Sequence, residues 1–188
     1  MDVKTTYFET TGKDNTEAVF KLVNARIKEL GIKTVLIAST GGDMAVKAVD
    51  MLKGVKIIAV AHSTGFVQPN VQQFTDENKK YVESKGGVVF IGTHTFTGLS
   101  QLMRKKFNTI IIGDIIAYTL RLFGQGMKVV CEISSMAADA GLVRTDEDII
   151  VIAGTGRGAD TAVVIRPANS QDFFDMKVKE ILCKPRLN

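Results

Sequence analysis

A chain of 188 residues, 45% apolar and 23% charged, has the makeup of an ordinary globular protein and reads as one domain spanning residues 1–188. Its net charge of +4 is carried partly in short clusters, Lys79-Lys80, Arg104-Lys105-Lys106 and Lys184-Pro185-Arg186, without interleaved stacking aromatics, which argues against a nucleic-acid surface. The N-terminus lacks a signal-like apolar stretch, residues 110–122 are interrupted by Asp114 and Arg121, and Cys131 and Cys183 make no disulfide framework, so a cytoplasmic protein without a membrane span is expected.

In chain order, residues 14–30 read as an amphipathic helix. Val19, Leu22, Val23, Ile27 and Leu30 fall at helical spacing, Asp14 or Asn15 can cap the start, and Gly31 ends it. A first strand is expected at about 34–38, then a helix from Gly41 or Gly42 to Gly54, and a second strand at 55–61. A long loop leads to a polar helix at 75–85, closed by Gly86-Gly87, and a third strand at 88–92. Residues 98–106, 113–123 and 127–141 read as helices. The last is ambiguous, because Val129, Val130, Cys131 and Ile133 also suit a strand; adding Met136, Ala137 and Ala140 makes the spacing helical. A fourth strand is expected at 148–153. Only seven residues separate Ala153 from Thr161, too few for a parallel crossover, so a fifth strand at 162–167 must return antiparallel. A short strand at 178–183 is a candidate addition at an edge.

The first four strands are continuous apolar runs, which marks strands buried on both faces of a parallel sheet. Loops of small polar residues follow each run, and in open α/β sheets that edge is where ligands bind. The first loop, Ser39-Thr40-Gly41-Gly42, opens a helix, where free N–H groups and the helix dipole favour an anion. The competing reading is a Thr40 cap on a tight turn. The second loop begins His62-Ser63-Thr64-Gly65, and the third holds Thr93 and His94. Either histidine can serve a ligand or simply the structure; two without a third ligand are weak evidence for metal. The hairpin Thr155-Gly156-Arg157-Gly158 offers a guanidinium that can clamp a phosphate through two hydrogen bonds, or one that faces solvent. Asp160 reads as a loop-orienting residue, and Cys131 as a buried, inert thiol.

Two segments resemble the C-terminal domain of pyruvate kinase: residues 34–61 with their strand, Ser-Thr-Gly-Gly turn, helix and strand, and residues 146–167 with their glycine hairpin. The runs Met136-Ala137-Ala138-Asp139-Ala140-Gly141 and Gly154 to Val164 are similar to a family of stand-alone proteins of this type from prokaryotes. The resemblance implies a three-layer α/β/α sandwich with a mixed sheet of five main strands, order 3-2-1-4-5, the fifth antiparallel. It implies a sugar-phosphate effector at Ser39, Thr40, Gly41, Gly42, Gly156 and Arg157. For the stand-alone family it implies FMN, its phosphate in the first loop and its ring over the later ones. The barrel, metal carboxylates and potassium site of pyruvate kinase have no counterpart here, so that enzyme's phosphotransfer is not expected. Residues 93–127 are longer than that domain needs.

The function expected is therefore binding of a phosphorylated small molecule, with FMN the leading ligand and flavin-dependent redox activity an open extension. The alternative is a non-catalytic sensor of a sugar phosphate or nucleotide. A homodimer is also expected, because the apolar helices at 98–123 exceed what one sheet face needs to cover.

Overall fold

Most of the apolar runs become the middle of the sheet because their alternate residues feed two different cores; the run at 88–92 instead lies at an edge and is half-buried. In the computed structural model, which describes residues 2–187, the strands are β1 (Thr6–Phe8), β2 (Thr34–Ala38), β3 (Lys56–His62), β4 (Val88–Gly92), β5 (Ile149–Ala153), β6 (Thr161–Arg166) and β7 (Lys177–Pro185). The helices are α1 (Thr16–Leu30), α2 (Asp43–Met51), α3 (Asp76–Ser84), α4 (Gly98–Phe107), α5 (Ile112–Arg121) and α6 (Gln125–Asp139). Val35, Ile37, Ile57, Ala59, Ile150 and Ile152 face a core completed by α1, α2 and α3. Leu36, Ile58, Val60, Ile149 and Val151 face the opposite core, completed by α5 and α6. Period-two alternation thus hides inside runs that are apolar at every position.

The sheet order is β1-β7-β6-β5-β2-β3-β4. β5, β2, β3 and β4 run parallel, and β6 returns antiparallel to β5 with Ala153 opposite Thr161. The five expected strands follow the expected order, as β4-β3-β2-β5-β6, but the sheet has seven strands rather than five. β7 is nine residues long, pairs antiparallel with β6, and is itself covered by β1. β7 takes in the strand expected at 178–183 but is longer and is not an edge, and β1 was not expected at all. β1 has only three residues, and β7 mixes Lys177, Lys179, Glu180 and Lys184 with its apolar positions.

Helical periodicity prevailed over strand propensity at Val129 to Ile133, which lie in α6. Nearly every α6 side chain is buried, since the sheet, α5 and the 3-10 turn at Ser170–Asp175 surround it. The start of α1 departs from expectation: no side chain caps it, and Asn15 spends its Nδ2 on the Thr10 carbonyl, 2.8 Å away. Gly31 ends α1 in the left-handed conformation, as its position suggested.

Candidate functional site

Because β5, β2, β3 and β4 are parallel neighbours, the loops that follow them leave one edge of the sheet. Ala38 pairs with Val60, Ile37 with Ile152 and His62 with Gly92, so the strand ends are level. Neighbouring strands lie about 4.8 Å apart, which brings residues 39–42, 62–75, 93–97 and 154–160 to a common rim.

The first loop is held by its backbone and leaves its donors free. Ser39 is buried; its N–H donates to the Val60 carbonyl at 3.1 Å, and its hydroxyl accepts from the Ala45 N–H at 3.2 Å. Ser39, and not Thr40, thus serves the first turn of α2. Gly42 is the N-cap with φ of 103°, a left-handed value natural only to glycine, and a Cβ there would lie 2.4 Å from the Asn78 Cβ. Asn78 in turn donates to the Gly41 carbonyl at 2.9 Å. Among the described residues, the N–H groups of Thr40, Gly41, Gly42, Asp43 and Met44 have no acceptor. Five unpaired amides at a helix N-terminus concentrate positive potential.

Beside this loop, between the ends of β2 and β3 and the face of α6, lies a hollow of about 40 Å³ lined by Ser39, Thr40, His62, His94 and Glu132. A water needs roughly 10–15 Å³ by the same measure, so the enclosed space has room for a small group and not for a fused ring. Three rings stand together at this edge: His62 to Phe66 at 4.1 Å between centroids, and His94 at 5.1 Å from each. The Nδ1 of His62 lies 2.9 Å from Oε1 of Gln73, which fixes the imidazole's orientation.

Burial draws the His94 imidazole below its ordinary pKa of 6.5; the Glu132 carboxylate opposes that shift, while His62 and Lys128 add to it. Glu132 is itself buried and forms an ion pair with buried Lys128, one helical turn earlier. Its other oxygen accepts from the Phe96 N–H at 3.0 Å and from the Thr97 N–H and hydroxyl at 3.3 Å. One carboxylate therefore ties the segment carrying His94 to α6. The Lys128 ammonium is also drawn down by burial, against the pull of Glu132. Among the described residues, no three His, Cys, Asp or Glu side chains gather closely enough to hold a metal ion. Cys131 is buried and its thiol is pushed up to about 12 by desolvation.

The hairpin 154–160 behaves differently from the first loop. Asp160 is fully buried: Oδ2 accepts from the N–H groups of Gly12 at 2.8 Å and Thr155 at 3.0 Å, and Oδ1 from the Thr161 hydroxyl at 2.7 Å. The Ala159 N–H donates to Thr16 Oγ1 at 3.1 Å. Gly158, at φ 86°, meets the chain at Lys13 so closely that a Cβ would lie 2.3 Å from the Lys13 Cα. Much of the hairpin's chemistry is thus spent on holding residues 12–16. Arg157 is exposed and Gly156 lies at the open tip.

Of the residues singled out in the sequence, Ser39, Thr40, His62 and His94 line the hollow, and Gly41 and Gly42 continue the loop that borders it. Ser63, Thr64 and Gly65 fold into their own loop: Gln72 Nε2 donates to the His62 carbonyl and to Thr64 Oγ1, and the Gly65 N–H donates to the Val71 carbonyl. Thr93 is exposed, and it and residues 155–158 lie at the same edge without lining the hollow. Sequence reasoning passed over Phe66, Gln73 and Asn78, and left Glu132 unplaced. The available signal for Glu132 was its position four residues after Lys128 on an otherwise apolar helix face, where paired charges are rarely idle.

Among solved structures, the chain has a likeness to a mutant of O-ureido-L-serine synthase with O-ureido-L-serine bound. Identity is 14% and the TM-score 0.30, over 69% of this chain and 48% of that one, so the chain spans about half the synthase's length. A likeness that loose carries no argument. The family model described as pyruvate kinase, alpha/beta domain, by contrast, matches residues 17–165, from the start of α1 to the end of β6. That match takes in the parallel strands, the hairpin and every loop of the rim, and the chain belongs to the family of the pyruvate kinase alpha/beta domain.

Proposed function

We propose that the protein binds a phosphorylated small molecule at this rim, with the phosphate at the N-terminus of α2 and FMN as the leading ligand. The observation that carries the reading is the set of five unpaired amides, Thr40 to Met44, next to a small hollow. Thr40 adds an uncommitted hydroxyl at the same place. In this reading the flavin phosphate sits at the loop and the isoalloxazine lies outside the hollow, against the rings of His62, Phe66 and His94, which stand close together there. Bound there, a flavin supplies redox chemistry, while this chain binds and orients it. The small size of the hollow favours a second reading, a non-catalytic sensor whose ligand is a sugar phosphate with no ring to accommodate.

The decisive experiment is mass spectrometry of the small molecule released from the purified protein, together with its visible spectrum. A yellow preparation absorbing near roughly 450 nm and yielding the mass of FMN supports the first reading. A colourless protein whose melting temperature rises with a sugar phosphate supports the second, through binding linkage. A protein that carries nothing and is stabilised by neither ligand removes both.

A further inference from the structure

Helix α5 is apolar on two sides, and only one of them is used. Ile116, Ala117 and Leu120 pack into the core beneath α6. Ile112, Ile115 and Leu122 recur at intervals of three and seven residues on the opposite side, and all are exposed, Leu122 at 75%. The neighbouring α4 adds Leu99, Leu102 and Phe107, exposed as well, and contributes no side chain to either core. A helix apolar around most of its circumference is an interior helix. Here it lies at the surface.

Specific contacts fix the junction of the two helices nonetheless. Asp114, almost fully buried, pairs with Arg104 across the α4–α5 junction and accepts from the Ile111 N–H. Gly113 sits so close to the Phe96 carbonyl that a Cβ would lie 2.3 Å from it, and Ser100 donates to the same oxygen at 2.7 Å. The exposed side chains are therefore presented by a fixed scaffold.

We infer that this α4–α5 face is the interface of a homodimer, each protomer covering the other's Ile112–Ile115–Leu122 stripe. The area decides the occupant. Nine large apolar side chains between residues 99 and 123 are exposed, and at about 100 Å² apiece they offer some ~900 Å², against the ~800 Å² per partner of a stable interface. The whole chain exposes 10125 Å², whereas a compact monomer of this mass exposes about 8,800 Å². The excess, about 1,300 Å², is larger than one such interface side. A single self-complementary patch closes as a two-fold dimer, with the two α4–α5 pairs meeting as a four-helix layer. Lys105 and Lys106 remain at the rim, where like charges on the two copies stay hydrated.

The test is sedimentation velocity on the 188-residue chain at about 10 μM, where an interface with a dissociation constant of about 1 μM or below stays assembled. The expected species is a dimer of twice 20.4 kDa. Ile115→Glu and Leu122→Glu, made separately, should each raise the dissociation constant at least about 100-fold by placing an unpaired carboxylate in the contact. Phe174→Glu, at the most exposed large apolar side chain, outside α4–α5, should leave the dimer intact. Should the two stripe variants prove unstable, amide exchange of the native protein provides the same answer: protection over residues 98–123 must rise with protein concentration. A native monomer overturns the inference, whether or not it binds vesicles containing anionic lipid. So does a dimer that survives both stripe variants, or exchange in this segment that ignores concentration.

Discussion

Two glycine-rich loops leave adjacent strands at the same edge, and they put their glycines to opposite uses. In residues 39–42 the backbone bends with Gly42 at the N-cap of α2, and five successive amides from Thr40 onward stay unpaired. In residues 154–160 the glycines allow the hairpin to press on the backbone of residues 12 and 13, and the buried Asp160 carboxylate absorbs the N–H of Thr155 and that of Gly12. Glycine content alone does not distinguish a loop whose amides stay unpaired from one whose amides are already taken. The difference lies in whether a carboxylate of the chain has reached the amides first.

The largest effect should come from the hairpin and should concern stability. Asp160→Ala leaves the buried Gly12 N–H, the half-buried Thr155 N–H and the buried Thr161 hydroxyl without their acceptor, so we expect a loss of about 3 kcal/mol, or roughly 6–12 °C in melting temperature. Phosphate-ligand response should change little per folded molecule. Thermal melts with and without ligand check this; a stable variant that has lost its ligand response would put Asp160 in the binding machinery instead.

Next in size is Gly42→Ala. The positive φ and the overlap with Asn78 together should cost about 2 kcal/mol, and the shifted turn should also misdirect the amides. Stability by chemical denaturation and ligand affinity by calorimetry should therefore fall together, in contrast to Asp160→Ala. If affinity is kept, the first loop is a structural turn like its neighbour.

The smallest effect is a pH dependence at His94. Burial holds this imidazole neutral in the fold, with its pKa below 6.5, so the unfolded chain takes up a proton first as pH falls. Stability linked to His94 is complete above about pH 6.5 and declines below it, towards the lower folded-state value. His94→Gln should flatten that part of the melting-temperature profile between neutral and mildly acidic pH. An unchanged profile would mean that the proton uptake belongs to another group.

The secondary structure of the central strands and of most helices was legible because long apolar runs and 3.6-residue spacing are strong local signals. That holds even for α6, where a strand-like stretch at Val129–Ile133 sits within a longer helical pattern. The antiparallel turn into β6 followed from a count of residues. β1 and the full span of β7 were not legible, because three residues show no period and the charges of β7 mask its alternation. At the site, Ser39, Thr40, His62 and His94 could be named from their position after strands. Phe66 and Gln73 could not, since they reach the hollow's edge from within a loop whose own folding brings them there. Nor does Thr40 cap α2 as the sequence allowed: Gly42 is the N-cap, and it is Ser39 whose hydroxyl accepts from the Ala45 N–H.

The sequence by itself determined the layered α/β arrangement, the direction of the inner strands and the edge on which the small polar loops emerge, because those depend on local periodicity and short connections. Only the tertiary structure decided which amides stay unpaired, which carboxylate is already engaged and which side of α5 is left uncovered. Those outcomes depend on partners far apart in the chain, such as Asp160 with Gly12 and Glu132 with Phe96. Hydrogen bonds and burial are settled by proximity in space, and a linear pattern carries no record of it.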